Sequence, residues 1–203
     1  MHILTAKDFK AELPSFEFAP PIKGSHEKEY RSILSHPNGA YFLKTPPLKV
    51  HTLEEKTGHV VVYAELPWEQ AKDLYTCIRG LESKFLSLLT SNPGWIGAKT
   101  SPKYLPLSDF FASSILLSSS SEEPFYVKFI LIPESSLLFD LNGRKISLKR
   151  LKEDQTIVFL LKFSYSLFLD QKISLPITVS QARIYNPPEK DSDLLIEFSE
   201  EEE

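Results

Sequence analysis

The sequence of 203 residues contains a single cysteine, Cys77, and only seven glycines. One cysteine excludes an intrachain disulfide and fits a reducing compartment more easily than an oxidising one. The glycines form no glycine-rich loop of the kind that cradles phosphate groups. The five histidines show neither metal-ligand spacing nor a helical i,i+4 pair. Because a nucleophile elbow and a glycosidase-like carboxylate pair are also missing, we expect a protein that is not an enzyme and uses no metal or cofactor.

Long apolar runs are also missing. No stretch of 18 apolar residues occurs, so we expect no membrane span and no membrane partner. The first ten residues lack the apolar h-region of a secretory signal peptide, so we expect none. Hydrophobic residues nevertheless make up 42% of the chain, which is enough for a packed core and argues against global disorder.

Acidic residues are concentrated in residues 187–203, which we call the acidic tail. It holds eight acidic residues and one lysine, a net charge of −7, although the whole chain carries only −4. The first 186 residues therefore hold 22 basic and 19 acidic residues, a net charge of +3. An acidic tail is typical of a segment that binds protein partners or competes with nucleic acid for the body's basic surface. The alternative is a disordered end that only improves solubility.

The clearest β pattern lies in residues 137–185. Asn142-Gly143 between two apolar segments predicts a hairpin, because both residues tolerate the positive φ of a type I′ turn. The run 156–169 is apolar on nearly both faces, which predicts a central strand covered on two sides. The run 172–185 alternates and predicts one half-exposed strand. We interpret these segments as a β-meander of about four strands, part of a small barrel or sandwich.

The preceding chain supplies further strands and one long helix. Residues 67–91 repeat apolar side chains at helical spacing after Pro67, which suits the first helical position. We therefore predict a mainly β, α+β domain over residues 15–186, with this helix and a long irregular connection over residues 92–124. Residues 1–14 are expected to form a poorly determined lead and residues 22–39 a surface loop or short helix. The predicted strands before the meander are 15–19, 40–45, 48–53, 59–66 and 125–132.

The order of these segments resembles the single-stranded-DNA-binding protein family of nucleocytoplasmic large DNA viruses, over about residues 15–188. The resemblance implies an OB-like antiparallel β-barrel with a helix packed on it. It also implies sequence-tolerant binding of single-stranded DNA in viral replication, repair or recombination, in the host cytoplasm or nucleus or in the virion. The segments that carry it are Phe42–Val50, Val60–Leu89, the connection around Trp95, Leu138–Leu148, Thr156–Phe163 and Val179–Tyr185.

Binding of single strands requires cations for the phosphates and aromatic faces for the bases. On alternating strands, Tyr126 shares a face with Lys128, and Arg183 shares a face with Tyr185. Further aromatic candidates are Phe42, Tyr63 and Phe168. The predicted nucleic-acid-binding set is Tyr41, Lys44, Lys49, Tyr126, Lys128, Lys149, Arg150, Lys162, Tyr165, Arg183 and Tyr185.

A second interpretation stays open. The chain has Ser164–Phe168 and Ser174–Ile177 where the family tends to have tryptophan-bearing or glycine-tryptophan segments. A diverged paralogue could keep the fold as a virion-structural or protein-interaction module that binds no nucleic acid, because a fold does not determine function. In either case the acidic tail is a candidate site for protein partners.

Overall fold

The computed structural model describes residues 2–96, 109–116, 125–169 and 172–185. It contains helices α1 (Ala6–Glu12) and α2 (Trp68–Ser91), and short 3-10 turns at Leu13–Ser15, Pro93–Ile96 and Leu148–Arg150. The strands are β1 (His2–Thr5), β2 (Glu17–Phe18), β3 (Ile22–Lys23), β4 (Glu29–Ser35), β5 (Tyr41–Lys44), β6 (Leu48–Lys56), β7 (His59–Leu66), β8 (Phe111–Ala112), β9 (Ile115–Leu116), β10 (Phe125–Leu131), β11 (Leu137–Phe139), β12 (Lys145–Ile146), β13 (Thr156–Phe163), β14 (Tyr165–Leu169), β15 (Lys172–Ser174) and β16 (Ile177–Ile184).

Five strands close into a barrel in the order β6, β7, β10, β16 and β13, with β13 pairing again with β6. Every pair in this ring is antiparallel except β10 with β16. With β6 as the first strand and β7 as the second, this is a Greek-key barrel of the OB type. The predicted OB-like barrel with a helix packed on it is therefore confirmed.

The barrel interior follows from the alternation along its strands. Val62 on β7, Phe129 on β10 and Phe159 on β13 point inward and are fully buried. The rings of Phe129 and Phe159 lie 5.1 Å apart between centroids. Burying a side chain of this size stabilises the fold by about 1.5–3 kcal/mol. The contacts between these inward side chains therefore stabilise the closed barrel.

Helix α2 matches the predicted helix at both ends. It follows Pro67 and stops at Asn92, whose backbone N–H donates to the carbonyls of Leu88 and Leu89. Its inner stripe is fully buried, and the ring of Phe85 lies 4.7 Å from that of Phe18 and 5.7 Å from that of Phe168. Those two rings belong to a second sheet of order β2, β4, β14, β15 and β8, with β3 added to β4. The helix thus packs against the second sheet and also contacts the barrel strand β7 and helix α1.

Two N-terminal segments differ from the prediction. Residues 2–15 are not a poorly determined lead, because β1 pairs in parallel with β5 and Phe9 of α1 is fully buried against Phe16 and Phe163. Residues 22–39 contain β3 and β4 in place of a loop or short helix. The alternation of β4 is hidden in the sequence, because its buried positions include Ser32 while Ile33 is exposed.

The C-terminal strands form a more complicated arrangement than a meander. The β11–β12 hairpin is present, but the predicted type I′ turn is wrong, because Gly143 has a positive φ of +76° whereas Asn142 does not, and residues 140–144 connect the two strands. However, β11 pairs in parallel with β16, and each long run is divided between two sheets. Ser164 separates β13 from β14, and Leu175-Pro176 separates β15 from β16. In the described part of the chain, no helix is long and apolar enough to cross a membrane.

Candidate nucleic-acid interface

Three neighbouring barrel strands present aromatic and charged side chains on their outer side. Residues whose neighbours point into the barrel must point outward, because successive side chains of a strand alternate. Pairing of Glu65 with Tyr126, and of Tyr63 with Lys128, places these four side chains in two adjacent rows. We call this surface the three-strand face; its residues are Lys49, His51 and Glu54 of β6, Tyr63 and Glu65 of β7, and Tyr126 and Lys128 of β10.

A bulge in β6 brings a histidine onto this face. Val50 pairs with Ala64 and Thr52 pairs with Tyr63, so His51 is an extra residue without a partner in the ladder. Its ring lies 4.4 Å from that of Tyr126, with an interplanar angle of 31°. The two rings form a half-exposed aromatic pair, and such a pair offers a flat surface to a nucleobase.

In the row next to that of Tyr126, Tyr63 lies beside an acidic side chain, Glu54, and a basic one, Lys128. Burial, with a smaller effect of the Glu54 carboxylate, raises the pKa of Tyr63. The pKa of Glu54 is lowered by the hydrogen bond from Lys56, against a weaker effect of burial, and the charge of Lys128 contributes further. Tyr63 therefore stays a neutral phenol, and Lys128 stands beside it where it could contact a phosphate.

Lys49 is held between two carboxylates. Its Nζ lies 2.9 Å from Asp154 Oδ1 and 3.7 Å from Glu65 Oε1. The hydrogen bond from Lys49 lowers the pKa of Asp154, and the same bond, followed by the charge of Glu65, raises the pKa of Lys49. Asp154 has a positive φ of 63° and donates its backbone N–H to Val50, which fixes its position beside β6. Aspartate tolerates this backbone conformation better than most residues do.

Three of the predicted residues lie in one row around the barrel. Tyr185 donates its backbone N–H to Thr156, Thr156 pairs with Lys49, and the side chain of Lys49 reaches Glu65, the partner of Tyr126. Neighbouring strands are about 4.8 Å apart, so Tyr185 and Tyr126 mark the ends of a row about 19 Å long. The fold thus brings together Tyr126, Lys128, Lys49 and Tyr185.

The other predicted cations point elsewhere or border this row. Arg183 is exposed on β16, and its guanidinium donates to the carbonyl of Leu141 at 2.7 Å. Lys149 and Arg150 are exposed in the 3-10 turn before β13. Lys44 on β5 and Lys162 on β13 are exposed, and Lys162, which pairs with Phe42 and Thr178, lies six residues along β13 from Thr156 of this row. These cations do not form one continuous groove.

Two predicted aromatic residues are buried or covered by a neighbouring side chain. Tyr41 is 8% exposed, and its ring stacks on His2 at 4.9 Å and contacts His36 at 4.1 Å. Tyr165 on β14 is covered by the guanidinium of Arg31, which lies 4.9 Å from the ring centroid. Arg31 is held in turn by the buried carboxylate of Glu29. Neither tyrosine belongs to the three-strand face.

His51 is absent from the predicted set, because its position depends on a bulge that only the pairing of β6 with β7 reveals.

The described residues contain no group of three or more histidine, cysteine, aspartate or glutamate side chains that could hold a metal ion. The thiol of Cys77 is buried and contacts the carbonyl of Ala6 at 3.0 Å. Burial raises the pKa of Cys77 to about 12, so the thiol is inert at neutral pH.

The acidic tail, and the serine run at residues 118–121, lie outside the described residues.

No protein-family model matches the sequence, and no curated protein matches it. Among solved structures, the chain is similar to a single-stranded DNA-binding protein from bacteriophage Enc34, with 6% identity and a TM-score of 0.45, covering 88% of this chain and 96% of that one. The same phage protein in complex with ssDNA gives 6% identity and a TM-score of 0.40, covering 85% and 97%. Because this similarity is low, the function is argued below from the chain's own residues.

Proposed function

We propose that this protein binds single-stranded DNA without strong sequence preference, and that the three-strand face is the binding surface. The observation that carries the proposal is the interleaving of the rings of His51, Tyr63 and Tyr126 with Lys49 and Lys128. These residues lie on the first three strands of the barrel, and OB folds bind oligonucleotides on the face of their second and third strands.

The chemistry of this face suits moderate, sequence-tolerant binding. A base that stacks on an aromatic side chain contributes about 1–3 kcal/mol, and every base has a flat face. Lysines beside the rings can contact phosphates, whatever the sequence. The carboxylates of Glu54 and Glu65 on the same face limit its positive potential. We therefore expect binding that depends strongly on salt and is weaker than that of a strongly basic protein.

A role in viral DNA replication, repair or recombination is part of the proposal. It is supported by the resemblance of the ordered segments to viral single-strand binders. The location in the host cytoplasm or nucleus, or in the virion, stays a prediction. The proposal requires no catalytic step, and the acidic tail serves in it as a contact for proteins or as a competitor of DNA.

The direct test is a fluorescence-anisotropy titration of a labelled oligo-dT of about 20 nucleotides, at about 50 mM and about 200 mM salt. The full chain should bind at low salt and weaken steeply at high salt. A chain that ends at residue 186 should bind more tightly, because the tail's net charge of −7 is removed. If neither protein changes the anisotropy at low salt, the proposal is wrong.

One observation favours the second candidate function, a virion-structural or protein-interaction module. The outer side of the second sheet exposes three aliphatic side chains, Ile22 at 59%, Ile33 at 41% and Leu169 at 43%. All three lie on the face of the sheet that carries Arg31. Ile22 and Leu167 both pair with Arg31, and Ile33 and Leu169 lie two residues further along the same two strands. Together with Tyr165 and Leu167 of the same face they form an apolar surface around Arg31, and exposed apolar surface bordered by polar residues is typical of protein contacts. A stoichiometric protein complex purified from virions, combined with no oligo-dT binding, would favour this function over the first.

A further inference from the structure

One side of helix α2 carries an aromatic and cationic stripe that lies outside the three-strand face. Trp68, Lys72, Tyr75 and Arg79 are separated by four, three and four residues, so they lie above one another along the helix. The stripe extends about 16 Å, because each helical residue rises 1.5 Å. Trp68 is 50% exposed, Lys72 is exposed, and the other two are half-buried.

The side chains of the stripe contact each other. The Trp68 indole lies edge-on to Tyr75 at 5.4 Å and 6.2 Å from the ring of Phe125. Lys72 Nζ lies 6.0 Å from the Trp68 ring, and the guanidinium of Arg79 lies 5.7 Å from the Tyr75 ring. Half of the Trp68 surface remains in water although the residue has aromatic neighbours, so core packing alone does not account for it.

The stripe begins where the three-strand face ends. Leu66, the last residue of β7, pairs with Phe125, and the preceding Glu65 pairs with Tyr126. Phe125, which contacts Trp68, is therefore the chain neighbour of Tyr126, whose ring lies 4.4 Å from that of His51. Because successive side chains alternate, Phe125 points to the opposite side of β10 from Tyr126, so a ligand that lies over Tyr126 reaches Trp68 by passing around the start of β10.

The charges on this side of α2 are positive. Glu69 and Asp73 are exposed but project from a different side of the helix, about 100° or more away from Trp68. Glu82, which is nearer in projection, is 2% exposed and accepts hydrogen bonds from Ser113 and Ser114. Lys72 therefore faces outward beside the rings without an exposed acid on the same stripe, whereas the guanidinium of Arg79 contacts the Glu82 carboxylate at 3.1 Å. This favours a ligand that combines flat rings with negative charge.

We propose that the stripe is a second segment of the single-stranded DNA path. A strand that leaves Tyr126 continues along α2, where a base stacks on Trp68 and Lys72 contacts a phosphate. The inference rests on the proposed function, since it extends the same path. It predicts that a long oligonucleotide uses both segments and that a short one is bound by the three-strand face alone.

The test compares oligo-dT of about six nucleotides, near the lower end of the usual site size of one OB fold, with oligo-dT of about 20 nucleotides, above its upper end. Trp68→Ala should weaken binding of the long oligonucleotide at least about fivefold and leave the short one nearly unchanged. Tyr30→Ala is the matched control, because Tyr30 is similarly exposed, at 45%, but lies on the second sheet. Lys72→Gln, a change of an exposed side chain, should reduce the salt slope for the long oligonucleotide only.

A spectroscopic signal reports on the same contact. The chain has two tryptophans, so Trp95→Phe leaves Trp68 as the only indole. Its fluorescence should be quenched by the long oligonucleotide, because a stacked base lies against the ring. If the unmodified protein binds neither length, the proposed function fails. If it binds both but Trp68→Ala binds like the parent and no quenching occurs, this inference alone is overturned; equal losses at both lengths also overturn it.

Discussion

Lys49 and Asp154 form an ion pair on the outer side of the barrel, with Nζ and Oδ1 2.9 Å apart. The pair lies in the row that leads from Tyr185 to Tyr126, so a phosphate that follows this row meets a lysine whose charge already has a partner. The backbone of Asp154 is anchored to Val50 in a left-handed conformation, which holds the carboxylate in place. On the proposed binding surface, Asp154 is therefore a competitor of phosphate for Lys49.

Replacing Asp154 with asparagine should tighten binding of single-stranded DNA about three- to tenfold. The substitution removes a negative charge within a few ångströms of the phosphate path, and asparagine tolerates the φ of 63°. Exposed ion pairs contribute little to stability, so the unfolding midpoint should hardly change. Anisotropy titrations at matched salt measure the affinity.

The control for this variant is Glu134→Gln. Glu134 is an exposed acid in the turn after β10, at the opposite end of that strand from Tyr126. Glu134→Gln removes the same charge as Asp154→Asn at a site away from the row, so its effect on the affinity for single-stranded DNA should be much smaller. Equal tightening in both variants would show that only net charge matters and that Asp154 has no special position.

Glu82 connects α2 to the short strands β8 and β9. Its carboxylate accepts the backbone N–H of Ser114 at 2.8 Å and contacts Arg79 at 3.1 Å. Burial raises the pKa of Glu82 above the ordinary 4.5, although the hydrogen bonds from Ser114 and Ser113 and the charge of Arg79 oppose the shift. The folded protein therefore binds this proton more readily than the unfolded chain does.

The pH dependence of stability follows from this direction. The contribution of Glu82 to the free energy of unfolding should fall as the pH rises from about 4.5 through the folded-state pKa of Glu82, because the proton favoured by the folded state is lost. Glu82→Gln should flatten this part of the curve, whereas Glu55→Gln, a change of an exposed acid on β6, should not. Denaturant midpoints measured between about pH 4 and pH 7 provide the test. Identical slopes in parent and Glu82→Gln would contradict the assignment.

The parts of the fold that the sequence predicts well are those with local signals. The helix over Trp68–Ser91 has a clear apolar stripe and proline at its start, and β7 and β10 have continuous β-branched and aromatic residues. The division of residues 156–185 between two sheets has no such signal. It depends on Ser164 and Pro176, where the chain turns from one sheet into the other, and on tertiary pairing of β14 with β4. Apolar patterning predicts a strand but not its partner.

The same limit applies to the candidate site. Alternation correctly places Tyr126 and Lys128 on one side of β10, because that face depends only on local geometry. It does not separate a ring in the core from a ring on the surface, so Tyr41 is indistinguishable from Tyr126 until the neighbouring His2 and His36 are seen. The position of His51 depends on a register shift between two strands, which no local pattern shows.

Lys128→Gln should weaken binding of oligo-dT and of mixed-sequence oligonucleotides by the same factor. A lysine that contacts phosphate carries no sequence information, and losing one contact should lower the slope of log K against log salt by about 0.7. Lys162→Gln is the matched control, because Lys162 is also an outward lysine of the barrel but lies six residues along β13 from Thr156, the residue that pairs with Lys49. Equal effects of the two variants would mean that binding is diffuse and not confined to the three-strand face.

Tyr126 provides the sharpest test of the stacking surface. Tyr126→Ala should weaken single-strand binding by about 1–3 kcal/mol, or roughly five- to 150-fold, because the platform shared with His51 is lost. Tyr126→Phe keeps the ring and removes only the hydroxyl, so it should bind nearly as well as the parent. Anisotropy titration of both variants, with unfolding midpoints to confirm that β10 remains intact, separates stacking from folding. If Tyr126→Ala folds and binds like the parent, or if Tyr126→Phe loses as much affinity as Tyr126→Ala, bases do not stack on this ring and the three-strand face is not the binding surface.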